Sequence, residues 1–134
     1  MSDPRINKLA RTLVRYCIAA RRGQTVGVSG AALAAPLFTA VYEELLSAGA
    51  FPVLNMSPDG LGEILYRKGR KHHFTTLTPY QEAYARCMDA TISIYAQSNT
   101  RALSDVAPGK QVMLSKTMRP VSEILSHKPW VLTL

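Results

Sequence analysis

The sequence predicts an α/β protein built on an open, mostly parallel, doubly wound sheet of about four strands, with helices on both faces. Short runs rich in β-branched and aromatic residues alternate along the chain with amphipathic segments of ten or more residues. Connections of that length suit right-handed crossovers between parallel strands. The length of 134 residues and the 47% of hydrophobic residues fit one domain with its own core.

A helix is predicted from the N-terminus to about Ala20. Ser2-Asp3-Pro4 supplies a capping side chain and a proline at the first helical position. Apolar residues then recur at spacings of three and four, which predicts one buried stripe. The opposite face is basic, and a solvated surface is favoured there over a phosphate-binding stripe. The basic residues of this face are Arg5, Lys8, Arg11 and Arg15.

The next segments predict a strand, a helix and a second strand. QTVGVSG (24–30) and AFPVLNM (50–56) are predicted as the first and second strands. Between them, Pro36 opens an amphipathic helix and Gly49 ends it. The run after the first strand contains only G-x-x-G and the second strand ends without an acid, so a dinucleotide site is not expected.

Two further helices are predicted before the third strand. Ser57-Pro58 is expected to start the first of them, which Gly69 ends. Thr78-Pro79-Tyr80-Gln81 matches a capping box with proline at the first helical position, and it opens a helix to about Met88. DATISIYA (89–96) is then predicted as the third strand.

The last part of the chain predicts a broken helix and a fourth strand. Pro108 opens a helix over 109–118, and Pro120 is expected to break or kink it before a last helical piece. Residues 130–134 (WVLTL) have the pattern of a strand, and we expect the natural protein to continue beyond them.

Composition and motifs limit the classes of function. The net charge of +7 permits acidic or nucleic-acid partners without requiring them. Neither an apolar run long enough to span a membrane nor a signal peptide is present, so we expect a cytoplasmic protein. Cys17 and Cys87 are predicted to be buried free thiols. The nine acids are scattered, and neither a nucleotide phosphate loop nor a serine-nucleophile motif occurs.

The loop SNTRALSDVAPGK (98–110) is the first candidate site, because ligands of parallel sheets bind at the carboxyl ends of the strands. Asn99 and Arg101 could bind a carboxylate or a carbonyl group. Arg101 could equally form an ion pair with Asp105, four residues on. The structural role is the favoured alternative of the two.

The segment RKGRKHH (67–73) is the second candidate. His72 and His73 lack a spaced partner for metal binding. A phosphate-binding patch and a basic cluster at a helix C-terminus are both compatible with the run. Nucleic-acid contact is the less favoured alternative, because no aromatic residues interleave with the cations. The cations are Arg67, Lys68, Arg70 and Lys71.

The order of these motifs resembles the N-terminal domain of the thermophilic-type metalloaminopeptidases, the aminopeptidase T, S and II family. LARTLVRYCIAARRGQTVGVSG and APLFTAVYEELLSAGAFPVLNM resemble its first two blocks, and Arg119-Pro120 also fits its pattern. The resemblance covers essentially the whole chain. Its most specific part is DATISIYAQSNTRALSDVAPGKQ, with Asn99, Thr100, Arg101, Ala102, Leu103, Ser104, Val106 and Pro108 in place.

The resemblance implies a complete protein that removes N-terminal amino acids from peptides with two divalent metal ions, cobalt, zinc or magnesium. The family's ligands are glutamates, histidines and an aspartate of a C-terminal catalytic domain, and nothing in this chain matches their motifs. We therefore assign no catalytic residue and no metal ligand here, and we expect this chain alone to be inactive. The expected partners are that catalytic domain, a peptide substrate and a second copy in a homodimer, but neither nucleic acid nor a membrane.

Under this resemblance, the loop after the third strand is predicted to face the substrate cavity or the catalytic domain. The residues concerned are Asn99, Thr100, Arg101 and Asp105. The alternative is a stand-alone basic binding module for nucleic acid or a protein, which would use the cations of 67–71. A small nucleotide-binding protein is a third possibility, supported only by the predicted sheet topology.

Overall fold

A computed structural model describes residues 3–95 and 108–133 of the chain. Within these residues, four parallel strands form one sheet in the order β2-β1-β3-β4, which confirms the predicted fold class. β1 and β3 are interior strands, and β2 and β4 are the edges. Each of the first three strands begins one residue later than predicted. The strands are β1 (Thr25–Ala31), β2 (Phe51–Ser57), β3 (Ala90–Ile94) and β4 (Trp130–Thr133).

Helices cover both faces of the sheet. The first two pack on one face, where their apolar stripes join the sheet in a single core. The fifth and sixth cover the other face, where Tyr84 and Met88 lie over Gly27. None of the described helices is long and apolar enough to cross a membrane. The helices are α1 (Pro4–Arg11), α2 (Ala35–Ser47), α3 (Leu61–Lys68), α4 (Lys71–Thr75), α5 (Pro79–Cys87) and α6 (Pro108–Ser126).

The strand register decides which side chains meet each group of helices. Side chains at paired positions of parallel strands share a face of the sheet. Val26 pairs with Ala90 and Val28 with Ile92, which gives the α1/α2 face an apolar surface. Gly27 pairs with Thr91 on the other face, and Ser29 with Ser93, so the α5/α6 face is small and polar. The chemically different faces come from one alternating sequence pattern.

The first helix departs from its prediction after Arg11. Asp3 caps α1 by accepting a hydrogen bond from the Arg5 N–H at 2.8 Å, as expected. Residues Thr12–Cys17 then form a π-helical segment, in which the Ile18 N–H donates to the Leu13 carbonyl oxygen at 3.1 Å. The wider turn keeps the apolar stripe on the sheet but leaves Cys17 exposed. A continuous α-helix to Ala20 was therefore wrong.

The cysteine prediction was correct for bonding and wrong for burial. Cys17 and Cys87 are both free thiols, and both are exposed. Cys17 lies beyond the stripe that Leu13, Val14 and Ile18 contribute to the core. At the end of α5 it is Met88, not Cys87, that is buried against the sheet.

The start of α3 was also predicted too early. Ser57 is the last residue of β2, where it pairs with Ala31, so the helix cannot begin there. The chain then turns through Gly60 with φ of +86°, and α3 begins at Leu61. Strand pairing, which the local Ser-Pro pattern does not contain, decides this boundary.

The helices α4 and α5 differ in how well the sequence predicts them. α4 was missed, because five residues carry too little periodicity for a prediction. The capping box of α5 is confirmed: the Gln81 N–H donates to the Thr78 hydroxyl at 3.3 Å, and Gln81 Oε1 accepts from the Thr78 N–H at 3.0 Å.

Pro120 does not break the last helix, since α6 runs through it as one element. A proline removes the hydrogen bond to the carbonyl four residues earlier, here that of Lys116. Both residues are exposed, so water can bond to the carbonyl that loses its donor. The predicted break at Pro120 was therefore wrong, and the alternative of a kink there stays a prediction.

Candidate functional site

The order in which strands join the sheet reverses next to β1. From β1 the chain crosses to β2 on one side, and β3 lies on the other side of β1. Ligands of such sheets usually bind at this carboxyl edge, beside the strands where the order reverses. The predicted site loop follows β3 in the sequence. Asn99, Thr100, Arg101 and Asp105 lie outside the described residues, so their role stays a prediction.

Gly30 allows the two central strands to lie close together near this edge. Its φ is +152°, and a Cβ atom at this position would collide with the carbonyl oxygen of Ile94. Only glycine accommodates both the conformation and the close approach. In the sequence this glycine is recognisable only as part of an incomplete nucleotide motif, because its packing role depends on β3, which is distant in sequence.

Several large apolar side chains near the carboxyl edge are exposed to solvent. One follows β1, one is the second-last residue of β2, two lie on the first turn of α3 and one follows β3. Their positions place them on the same edge, because all the strands are parallel. We call this set the carboxyl-edge rim: Leu33 (62% exposed), Met56 (40%), Leu61 (48%), Ile64 (47%) and Tyr95 (54%).

A hydrogen-bonded pair lies below the rim on the α5/α6 face. Asn55 of β2 bonds through its side chain to Tyr84 of α5. Burial raises the pKa of the Tyr84 hydroxyl above its ordinary value, and the bond with Asn55 opposes that shift. Gly27 provides the space for this ring, because a Cβ atom there would collide with the Tyr84 hydroxyl. The contact fixes α5 on the sheet.

The neighbouring acids Glu43 and Glu44 of α2 have different surroundings. Glu44 lies 3.3 Å from Arg15 and 3.8 Å from Arg11, which joins α2 to the first helix. Its neighbour Glu43 lies in a separate groove between α1 and α2. These ion pairs agree with the solvated-surface interpretation of the basic face.

The described residues do not fit a metal centre. Among residues 3–95 and 108–133, no three His, Cys, Asp or Glu side chains converge as a metal ion requires. The rings of His72 and His73 lie 4.1 Å apart, yet Nδ1 of His73 already accepts the Arg70 N–H at 2.8 Å. That bond caps α4, so His73 is occupied in local structure.

The second candidate segment spans the junction of two helices. Arg67 and Lys68 end α3, whereas Arg70 precedes α4 and Lys71 is its first residue. Arg67 lies 3.6 Å from Glu63, one turn earlier in α3. The predicted basic cluster at a helix C-terminus therefore applies to Arg67 and Lys68 but not to Arg70 and Lys71.

Comparison with known proteins identifies a family. A family model described as thermophilic metalloprotease (M29) matches residues 2–129. Among solved structures, the chain is similar to wild-type AmpT from Thermus thermophilus, with a TM-score of 0.77 and 18% identity. The alignment covers 96% of this chain and 35% of that chain, so this chain spans little more than a third of that length. No curated protein matches the chain.

Proposed function

Because this chain belongs to the M29 family of thermophilic metalloproteases, we propose that it is the N-terminal part of a metal-dependent aminopeptidase. The whole protein would remove amino acids from the N-termini of peptides. The likeness to AmpT supports this proposal through the fold, over the 35% of that chain which it covers. The divalent ion, cobalt, zinc or magnesium, would be held by residues beyond those described, since the described ones do not fit a metal centre. Residues 1–134 alone are therefore expected to be inactive.

The carboxyl-edge rim carries the proposed role of this segment. Exposed single apolar residues are common on protein surfaces, but a contiguous group of large ones marks a contact surface. The rim combines five such side chains at the edge where ligands of α/β sheets bind. We infer that the rim lines the substrate cavity or packs against the catalytic part of the protein. The loop with Asn99, Thr100, Arg101 and Asp105 would extend the same surface.

The test uses the product of the whole reading frame and residues 1–134 as separate proteins. We expect the former to hydrolyse an aminoacyl p-nitroanilide in the presence of a divalent metal, and to lose this activity with a chelator. We expect residues 1–134 to show none. A whole product that hydrolyses no aminoacyl substrate with any of the three metals would overturn the aminopeptidase proposal.

A second arm tests the rim in the same active protein. Leu61→Ser removes apolar area worth about 1.5–3 kcal/mol if this side chain is fully buried in the whole protein. We expect KM to rise, or the thermal stability of the whole protein to fall. Leu46→Ser is the matched control, because Leu46 is 52% exposed, like the 48% of Leu61, but lies at the end of α2 on the opposite edge. Equal behaviour of the two variants would remove the rim from the proposal.

A further inference from the structure

The α3–α4 junction carries cations that the proposed peptidase role does not use. We define the α3–α4 basic patch as Arg67, Lys68, Arg70 and Lys71, all of which are exposed. We propose that this patch binds the phosphodiester backbone of a nucleic acid, independently of the rim and of peptide hydrolysis. The sequence alone favoured a basic cluster that stabilises a helix C-terminus over a nucleic-acid contact. The structure gives this explanation to only some of the cations.

Local electrostatics accounts for only part of the patch. Arg67 has an acidic partner in Glu63, and Lys68 lies at a helix C-terminus, where a cation is favourable. Arg70 and Lys71 lie at the start of α4, where the helix dipole disfavours positive charge. Among the described residues, Lys68, Arg70 and Lys71 form no ion pair. Three exposed cations thus lie within four residues of the chain without an ion pair among the described residues, which favours an anionic partner.

The backbone that carries these cations is firmly anchored. Gly69, at the centre of the patch, packs so closely that a Cβ atom would collide with the Leu65 carbonyl and lie 3.0 Å from the Phe74 ring. Phe74 is 1% exposed and stacks on Tyr66 with ring centroids 5.7 Å apart. A charged surface on a fixed backbone loses less conformational entropy when it binds a ligand.

α6 supports the same junction from below. The Thr117 hydroxyl donates to the Phe74 carbonyl at 2.7 Å, and Lys110 Nζ donates to the Tyr66 carbonyl at 2.8 Å. Lys110 also lies 5.8 Å from the centre of the Phe74 ring. These bonds attach the end of α3 and the end of α4 to one long helix, so the patch keeps its shape.

The chemistry of the patch fits phosphate groups better than bases. Lys and Arg side chains neutralise phosphates and release their counterions, which gives strong and salt-dependent binding. With Nδ1 of His73 accepting the Arg70 N–H, the neutral ring carries its proton on Nε2, which can donate to a phosphate oxygen. Tyr66 and Phe74 are occupied with each other, so they offer no platform for base stacking. We therefore expect binding without sequence preference.

The test measures binding of residues 1–134 to a fluorescently labelled single-stranded RNA of mixed sequence by anisotropy. The patch variant combines Lys68→Gln, Arg70→Gln and Lys71→Gln. We expect it to bind at least tenfold more weakly than the natural sequence at low ionic strength. The slope of log K against log salt should fall by about 2, from roughly 0.7 for each of the three lost phosphate contacts.

A matched control variant combines Arg5→Gln, Lys8→Gln and Arg21→Gln. These residues are exposed, form no ion pair among the described residues, and change the net charge by the same amount. We expect this variant to bind like the natural sequence. Absence of RNA binding by the natural sequence, or equal weakening of both variants, would overturn the proposed patch.

Two additions keep the result decisive. The double variant Lys68→Gln/Lys71→Gln leaves Arg70 intact before α4, and it replaces the triple variant if circular dichroism shows a loss of helix. Polyglutamate serves as a competitor. Displacement of the RNA by polyglutamate at equal charge concentration would show an acidic polypeptide site and contradict a phosphodiester-specific one.

Discussion

The two faces of the sheet differ in how completely the helices bury their side chains. On the α1/α2 face, Val14, Val41 and Leu45 are fully buried in one continuous apolar core. On the α5/α6 face, Thr91 and Ser93 are half-buried and line a groove of about 250 Å³ with residues of α6 and β4. The free energy of folding is therefore concentrated on one face.

The two faces therefore contribute differently to the protein: the α1/α2 face supplies most of the apolar burial, and the α5/α6 side carries more polar contacts. Hydrophobic burial stabilises in proportion to the apolar area removed from water, and the α1/α2 face removes most of it. The α5/α6 side holds its helices by specific contacts instead, such as Asn55 with Tyr84 and Lys128 with the Ala85 carbonyl at 2.8 Å. The α3–α4 basic patch also belongs to these later helices. Substitutions on the two faces should therefore have unequal effects.

The largest expected effect is on the α1/α2 face. Phe38 of α2 is 1% exposed within the continuous core, and Phe38→Ala should lower the free energy of unfolding by about 3–5 kcal/mol. Leu125→Ala, in the half-open groove under α6, should cost less because the groove is already partly open. Urea unfolding measures both values. Equal losses of unfolding free energy in the two variants would contradict the difference in burial between the two faces.

A smaller effect is expected where α5 meets the sheet. In Gly27→Ala, the new methyl group collides with the Tyr84 hydroxyl and lies 3.2 Å from the Met88 sulfur. Such overpacking costs about 1–3 kcal/mol. Adding Tyr84→Phe removes the atom in collision, so the double variant should recover part of the loss, which urea unfolding of all four proteins would measure. If the effects of the two substitutions on the free energy of unfolding simply add, the collision between the new methyl group and the Tyr84 hydroxyl does not determine the loss of stability.

The smallest effect is a dependence on pH. Burial raises the pKa of Tyr84 in the folded protein, whereas the unfolded chain ionises near its ordinary value of about 10. The unfolded state therefore loses its proton first, and this contribution to stability is present below about pH 10 and falls as the pH rises further. Tyr84→Phe should be less stable at neutral pH by about 1 kcal/mol, the worth of one hydrogen bond. The difference in the free energy of unfolding between Tyr84→Phe and the natural sequence should become smaller above pH 10. A difference that does not change with pH would contradict a raised pKa of Tyr84 in the folded protein.

Elements with strong local signals were predictable. Pro79 and the reciprocal bonds of Thr78 with Gln81 define the start of α5 within four residues. Gly49 ends α2 with φ of +79°, as its position after an apolar stripe indicates. Two predicted boundaries failed: the start of α3, which the pairing of Ser57 with the distant Ala31 delays, and the end of the first α-helix, where a π-helical segment follows Arg11.

The roles of the two candidate sites from the sequence stay predictions, because the loop lies outside the described residues and the binding role of the basic run is a proposal. The sequence located a polar loop after a strand and a basic run, and the family resemblance is confirmed by the match over residues 2–129. The rim was missed, because Leu33, Met56 and Leu61 look like ordinary core residues in a linear pattern. Only the parallel arrangement of the strands brings them to one edge.

The sequence by itself determined the α/β class, the helix starts marked by proline and capping side chains, and the family. Those properties follow from local periodicity and from motifs that are read along the chain. The tertiary structure decided the strand order, which face became polar and which apolar side chains stayed in water. Each of these depends on contacts between residues far apart in sequence, such as Gly30 with Ile94 and Gly27 with Tyr84. Their energies exist only once the sheet has formed.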